Sequence, residues 1–457
     1  MKVKSKVLFL QEDKEYNLED DLLLDLTKHH IYQGKIKFVG IFFSNQTNTS
    51  IICYPKYMDN IDEKNFLEQD KLVKETRNYM QHMNLVCKVI EKCKLKSNMN
   101  IQYDFSPFDQ KKDTKKIGLF SIAKFILQDY IENGIYEMKS NIFSKNAKGP
   151  ISWTKTINRI IPVISNNEVY YFDTLNNKQI IDKDRIITKI HMYVLSESAK
   201  LVKDVLGFSQ INLPNMSEIN FYKEDRKKIK VIIQSYMNQV FSNREISLLK
   251  ALSAWFDDSK NYIPKVGTNS FNLIWECVCK TVFGHNQDIE KMMPSPHLYL
   301  YDKARFIHEE VKASKLIPDV LRVSENNKIL YILDAKYYKP VINNNTYKDA
   351  PGASDVSKQF SYETQLMKLK KENMNSMFGE YKSYNAFLIP HFYKDLPQNI
   401  YEKLGYASML QSYNISEKEI QENDKIYYYQ INPTHFFERF LSLDSKFTDD
   451  EMNEFIL

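Results

Sequence analysis

Three charged residues in the second half of the chain have the types needed for metal-assisted hydrolysis. Asp319 directly follows a proline, and Asp334 stands two positions before Lys336. Carboxylate oxygens are the ligands that Mg²⁺ prefers, and one or two suffice because the ion keeps several waters. A metal held in this way polarises a phosphodiester and acidifies a bound water. A nearby ammonium can orient that water, help to remove its proton, or offset the charge of the transition state.

Two extended segments must bring these residues together. Residues 316–323 and 328–338 are short runs rich in apolar, β-branched or aromatic residues, and a polar turn over 324–327 separates them, which predicts a hairpin. Alternate side chains of a strand share a face, so Asp334 and Lys336 point the same way. A four-residue turn would place Asp334 roughly opposite residue 317 and therefore close to Asp319. Without a metal the two carboxylates would repel, and one would have to take up a proton.

An ordinary surface hairpin is the alternative, because a bare D-x-K pattern arises by chance in most charged chains. Two features favour the metal site. The strand is apolar on both faces until Asp334, as in a central strand. A helix predicted over residues 269–284 carries Glu276 within a mostly apolar sequence, where a charge is costly unless it has a task or a partner.

The same residues resemble the core of PD-(D/E)XK nucleases. The matching positions are Pro318-Asp319, Asp334-Ala335-Lys336 and the preceding Glu276. Residues 355–362 add a Q-x-x-Y element, which accompanies D-A-K-Y in McrC-like and LlaJI-type restriction endonucleases. Segments 271–276 and 53–57 also resemble LlaJI-type sequence. The resemblance is specific over about 269–390 and looser over the N-terminal half.

The resemblance implies a role for each matching residue. Asp319 and Asp334 would bind Mg²⁺, for which Mn²⁺ substitutes, and the carbonyl of Ala335 would be a third ligand. Lys336 would assist the attacking water. One accessory acid and two residues of the following helix complete the implied catalytic set: Glu276, Gln359 and Tyr362. A helix-cap region and a packing tyrosine remain the alternative for the last two.

The fold expected from these patterns is mixed α/β (α+β). A PD-(D/E)XK restriction-endonuclease-like core, with a mixed sheet flanked by helices, is predicted for residues 236–457. An α+β region over residues 1–235 precedes it, with a hairpin over 36–57, helices over 64–93 and 117–135, and strand-like sequence over 145–175. We expect this N-terminal region to govern DNA-target recognition, partner binding, or both.

Composition excludes several classes of protein. The 457 residues are 43% hydrophobic and 26% charged with 11 Gly and 14 Pro, which excludes disordered and collagen-like chains. The five cysteines are an odd number in a long chain, so a secreted disulfide framework is not expected. No apolar run is long enough for a membrane span or a signal-peptide core. The sequence thus predicts a cytoplasmic protein with no membrane partner.

The partners are inferred from what the chain lacks and from what it resembles. No G-x-x-x-x-G-K-[ST] phosphate loop occurs, so the chain is not itself an NTP-driven motor. The resemblance implies a separate McrB-like GTPase subunit, double-stranded DNA as substrate, and a cognate DNA methyltransferase in the same system. The predicted function is a Mg²⁺-dependent restriction endonuclease. A repair, recombination or transposition nuclease and a catalytically silent DNA-binding scaffold are the alternatives.

Overall fold

The computed structural model describes most of the chain. The described residues are 6–44, 46–47, 49–58, 72–96, 119–137, 139–181, 186–202, 226–256, 265–301, 307–312, 314–343, 346–372, 381–392, 400–409, 421 and 424–456.

Helices and strands alternate irregularly along the chain. The first part contains β1 (Lys6–Gln11), α1 (Asp20–Lys28), β2 (Val39–Ser44), β3 (Thr49–Tyr54) and α2 (Leu72–Lys96). The middle part contains α3 (Leu119–Asn133), β4 (Lys139–Lys145), α4 (Trp153–Arg159), β5 (Val163–Ser165), β6 (Glu168–Tyr170), β7 (Leu175–Ile181), α5 (Ile186–Val202), α6 (Arg226–Met237) and α7 (Asn243–Trp255). The last part contains β8 (Lys265–Thr268), α8 (Phe271–Val282), α9 (Gln287–Met292), β9 (His297–Tyr301), β10 (Ile307–Lys312), β11 (Val320–Ser324), β12 (Ile329–Ala335), β13 (Val341–Asn343), β14 (Thr346–Lys348), α10 (Ala353–Glu372), β15 (Lys382–Pro390), β16 (Tyr401–Ala407), β17 (Ile426–Ile431), α11 (Pro433–Leu441) and α12 (Asp449–Ile456).

The chain divides into two compact units. One unit consists of Met1–Tyr103 together with Lys265–Leu457, and the other is Asp104–Pro264. Packing therefore groups residues 1–103 with most of the predicted nuclease segment. The division between residues 235 and 236, which concerns function, stays a prediction.

A five-stranded mixed sheet forms the centre of the first unit. Its strand order is β11-β12-β15-β17-β16, with β12, β15 and β17 parallel and the two outer strands antiparallel to their neighbours. The inner strands β12 and β15 are buried on both faces, as expected for strands covered by helices. Helix α8 is fixed to this sheet by the indole N–H of Trp275, which donates to the backbone oxygen of Leu388 at 3.0 Å.

The hairpin of β11 and β12 is confirmed, but its predicted register is wrong by two residues. Ser324 pairs with Ile329 and Val320 with Leu333, so Asp334 comes opposite residue 319 rather than 317. The physical reason lies in the turn, which occupies residues 325–328 because Lys328 adopts a left-handed φ of 54° instead of starting the strand.

A second sheet of the first unit joins distant parts of the sequence. Its order is β1-β3-β2-β8, with β1 parallel to β3 and the other neighbours antiparallel. The antiparallel pair of β2 and β3 confirms the predicted N-terminal hairpin. Gly40 of β2 lies opposite Gly267 of β8, and a Cβ atom at Gly40 would stand 2.0 Å from the backbone oxygen of Val266. The two strands can approach so closely only because glycine occupies this position.

The second unit combines helices with two small antiparallel sheets of two strands each. Strands β4 and β7 pair with each other, as do β5 and β6. The prediction of strand-like sequence over residues 145–175 is wrong in part, because α4 occupies residues 153–159. Thr156 is the buried residue of this helix, while the apolar Trp153 and Ile157 are exposed.

The expected mixed α/β class is confirmed. The five cysteines form no disulfide bond with one another, and four of them are buried. Within the described ranges, no helix has both the length and the apolar character needed to cross a membrane.

Candidate active site

The two aspartates meet where the β11–β12 ladder ends. Asp319 immediately precedes β11, and its Oδ2 accepts a hydrogen bond of 2.8 Å from the backbone N–H of Ala335. The side chain of Asp319 thus accepts the hydrogen bond from Ala335 that a backbone oxygen would accept if β11 extended further. Its carboxyl group is also in hydrogen-bond contact with that of Asp334, which is almost fully buried on β12. The predicted proximity of Asp319 and Asp334 is therefore present in the structure.

Burial and mutual repulsion destabilise the folded protein when Asp319 and Asp334 are both ionised. Burial raises the pKa of Asp319 to about 8, and the negative charges of Asp334 and Glu276 act in the same direction. The pair therefore holds a proton near neutral pH in the absence of another positive charge. A cation between these oxygens would relieve the repulsion.

Lys336 lies beside the pair, on the same face of the extended segment as Asp334. Its Nζ is 2.7 Å from Asp334 Oδ2 and 2.9 Å from Asp355 Oδ1. Burial by itself would lower the pKa of the ammonium, but the two carboxylates outweigh it and raise the pKa of Lys336 above its ordinary value. The lysine is accordingly a charged hydrogen-bond donor at neutral pH.

Glu276 approaches the pair from α8. Burial raises the pKa of this carboxyl group and the charge of Asp334 raises it further, whereas Lys336 lowers it and Asn272 donates a hydrogen bond to it. The sequence-predicted accessory acid therefore shares the electrostatic environment of the aspartates.

Gln359 and Tyr362 lie on one face of α10, but their side chains are used differently. The amide of Gln359 donates to the backbone oxygen of Ile332 at 2.7 Å and to Asn385 Oδ1 at 3.3 Å, which attaches the helix to the sheet. The buried hydroxyl of Tyr362 has no hydrogen-bond partner. Burial raises the pKa of Tyr362, as do the charges of Asp334 and Asp319. The side chain lies in a cluster of buried apolar residues that includes Leu321 and Ile332.

The donor set fits a hard cation with few protein ligands. Two carboxylates are adjacent, and the Ala335 carbonyl lies on their side because one strand residue directs its N–H and C=O to the same neighbour. Mg²⁺ needs only one or two carboxylates since it retains waters. Among the described residues, no group of three or more His, Cys, Asp or Glu side chains has an arrangement that could hold a metal ion.

Two acids near the site were missed by the sequence analysis. Asp355 stands four residues before Gln359, so helical spacing could have indicated that it faces the sheet. Glu12 carried no signal, because its partner is distant in sequence: it accepts a hydrogen bond from the hydroxyl of Tyr337, the residue after Lys336. Burial raises the pKa of Glu12 to about 7.

A family model matches most of the chain. The model of the LlaJI restriction endonuclease family matches residues 38–434. A curated relative from Bacillus subtilis (strain 168), the type II restriction enzyme BsuMI component YdjA, is 29% identical over 403 residues, which is 84% of this chain and 80% of that protein. A solved assembly of Thermococcus gammatolerans McrB AAA+ hexamers with bound McrC contains a chain that is 12% identical, with coverage of 95% of this chain and 99% of that one. Its TM-score of 0.32 is too low to carry an argument.

Proposed function

Since this chain belongs to the LlaJI restriction endonuclease family and is thereby a nuclease subunit of a restriction system, we propose that it is a Mg²⁺-dependent endonuclease that hydrolyses phosphodiester bonds of double-stranded DNA. Mn²⁺ is proposed to substitute for Mg²⁺. The proposed activity belongs to a restriction-modification system that acts against phage in the cytoplasm, with a cognate DNA methyltransferase as a functional partner.

One observation carries the catalytic proposal: two adjoining carboxyl groups meet a lysine ammonium at the end of a buried sheet. Asp319 and Asp334 are in hydrogen-bond contact, and Lys336 Nζ lies 2.7 Å from Asp334. Asp319 is not needed as a partner of the lysine, because the ammonium already contacts Asp334 and Asp355. The second buried acid raises the electrostatic cost, which a cation-binding role accounts for.

We assign Asp319, Asp334 and the Ala335 carbonyl as the residues that hold the metal. When bound, the ion supplies an acidified water and polarises the scissile phosphate. We propose that the Lys336 ammonium, which lies 2.7 Å from Asp334 Oδ2, donates to the attacking water or to a phosphate oxygen and offsets the charge of the transition state. We assign Glu276 as the accessory acid, and we propose that the buried Tyr362 hydroxyl hydrogen-bonds a water in the site. Gln359 keeps α10 on the sheet.

The replacement Asp334→Ala tests this assignment. We expect it to abolish cleavage of unmethylated plasmid DNA while the circular dichroism spectrum stays that of the folded wild type. The matched control is Asp288→Ala, which removes an exposed acid 2.9 Å from Lys291. Full activity of Asp334→Ala would end the proposal.

Substrate and metal titrations separate the alternative functions. Preference for branched or damaged DNA over unmethylated plasmid would favour a repair, recombination or transposition nuclease. Calorimetric titration of the wild type with Mg²⁺ and Mn²⁺ should show binding that Asp334→Ala loses. No binding by the wild type would favour a silent DNA-binding scaffold.

We further propose that cleavage depends on a separate McrB-like GTPase subunit. The chain has no phosphate loop of its own, and its relative is named as a component of a restriction enzyme. The β5–β6 hairpin, with the chain just before and after it, exposes large apolar side chains that are unusual on a free surface: Ile161 is 91%, Ile164 72% and Phe172 77% exposed. Such a surface suits a protein partner, in keeping with a targeting or docking role of residues 1–235.

A cleavage assay with and without a purified McrB-like GTPase subunit tests the partner proposal. We expect cleavage only with the subunit and GTP. The variant Ile161→Ser/Ile164→Ser should lose complex formation in size-exclusion chromatography but retain its fold, because both side chains are already solvated. GTP-independent cleavage by the chain alone would contradict this proposal and leave the metal-site proposal standing.

A further inference from the structure

We propose that Asp355 is the positioning residue of Lys336: it holds the ammonium in the site when Asp334 is engaged elsewhere. The inference rests on the proposed function, since it matters for catalysis only if Lys336 acts in the reaction. Nothing in the family resemblance assigns a role to Asp355.

Two carboxylates fix the position of the Lys336 ammonium. The Lys336 side chain is a flexible four-carbon stem whose free rotation would spread the ammonium over many positions. Its Nζ is instead held between Asp334 Oδ2, at 2.7 Å, and Asp355 Oδ1, at 2.9 Å. The side chain of Lys336 is 15% exposed and that of Asp355 is 19% exposed, so solvent screens this contact far less than a surface ion pair.

Asp355 is itself fixed in place. Its Oδ2 accepts hydrogen bonds from the backbone N–H of Gly352, at 3.2 Å, and from the hydroxyl of Tyr338, at 3.4 Å. It lies in the first turn of the 20-residue helix α10, where the helix dipole favours a carboxylate. One oxygen thus anchors Asp355 to the helix start, which leaves the other for the lysine.

The two acids that hold the lysine are not equivalent. Asp334 is shared, because its carboxyl group also contacts Asp319 and is assigned to the metal. An oxygen committed to a cation has fewer lone pairs left for the ammonium. Asp355 comes from a different element, α10, and keeps its contact with Lys336 whatever Asp334 binds. The same helix carries Gln359 and Tyr362, so Asp355 couples the lysine to the helix that completes the site.

A double-mutant cycle of Asp355→Asn and Lys336→Met tests the inference. We expect Asp355→Asn to lower the single-turnover cleavage rate about tenfold or more, since a displaced catalytic group costs up to about 100-fold. Its Kd for DNA, measured by fluorescence anisotropy in EDTA, should stay within about twofold, because the change leaves DNA contacts intact. The control Asp288→Asn should change neither quantity.

Non-additivity distinguishes positioning through Lys336 from a general structural role. In the Lys336→Met background, Asp355→Asn should slow cleavage no further. If Lys336→Met leaves no measurable activity, the same comparison is made with urea unfolding of the metal-free proteins. The decrease in unfolding free energy caused by Asp355→Asn should then be smaller in the Lys336→Met background than in the wild type.

Two results would overturn the inference. Equal slowing by Asp355→Asn in both backgrounds, or equal loss of stability in both where activity is unmeasurable, would show that Asp355 does not act through Lys336. Wild-type cleavage by Lys336→Met would refute the role of the lysine itself, and with it the need for positioning. The second result would count against the catalytic role proposed for Lys336, whereas the first would count only against the role of Asp355.

Discussion

Neutralising Asp319 should stabilise the metal-free protein while it destroys activity. In Asp319→Asn an amide of the same shape replaces one of the two adjoining carboxyl groups. The amide oxygen can still accept from the backbone N–H of Ala335, as Asp319 Oδ2 does at 2.8 Å. The amide nitrogen adds a donor toward Asp334, where the wild type has a second acid. The variant therefore keeps the local contacts and loses the repulsion.

The pKa of Asp319 gives the magnitude. Burial and the neighbouring charges of Asp334 and Glu276 raise this pKa from 3.8 to about 8. The folded protein then binds the proton more tightly than the unfolded chain, so the penalty is absent below pH 3.8 and grows as the pH rises toward 8. Each pH unit in that window is worth about 1.4 kcal/mol, which sets an upper limit of roughly 4 kcal/mol at pH 7. We expect a gain of about 2–4 kcal/mol, because the pair shares one proton and is partly solvated.

Urea unfolding in EDTA near pH 5 and near pH 8 measures the effect. The difference in unfolding free energy between Asp319→Asn and the wild type should be positive and larger at the higher pH. Added Mg²⁺ should stabilise the wild type and leave the variant unchanged, since only the wild type keeps both metal ligands. A variant that is less stable than the wild type at pH 8, or a difference independent of pH, would refute the claim that repulsion dominates this site.

Three further replacements test the packing that supports the site. Glu12→Gln should remove a pH dependence: burial raises the pKa of Glu12 to about 7, so wild-type stability falls as the pH rises from 4.5 to 7, by roughly 3 kcal/mol relative to the variant in urea titrations. Trp275→Phe should lower the unfolding free energy by about 0.5–1.5 kcal/mol, because the carbonyl of Leu388 loses its indole donor but keeps the backbone N–H of Lys336. Gly40→Ala should lower the thermal midpoint by several degrees, since its Cβ would overlap a backbone oxygen of β8.

The sequence predicted the candidate catalytic hairpin because the features that specify it are close together along the chain. The apolar runs, the polar turn and the position of Asp334 at the end of β12 all lie within about twenty residues. The register was wrong because it depends on one backbone angle, at Lys328, that composition does not specify. The face shared by Gln359 and Tyr362 also followed from helical spacing alone.

Contacts between distant segments could not be predicted in this way. The hydrogen bond between Glu12 and Tyr337 and the pairing of β2 with β8 join residues more than 200 positions apart. A single sequence contains no periodicity that encodes such pairs. Asp355 is an intermediate case. Helical spacing predicts the face of the helix on which it lies, but it does not predict that Asp355 contacts Lys336.

The arrangement of the sheet β1-β3-β2-β8 has a consequence for synthesis on the ribosome. One edge of β2 acquires its partner only after residues 265–268 have emerged, and the roughly 220 residues between β2 and β8 take about 10–45 s to translate at about 5–20 residues per second. During that interval the nascent chain presents an apolar strand with unsatisfied backbone donors and acceptors, a template for aggregation. We expect chaperone capture of ribosome-bound chains to persist until β8 leaves the exit tunnel.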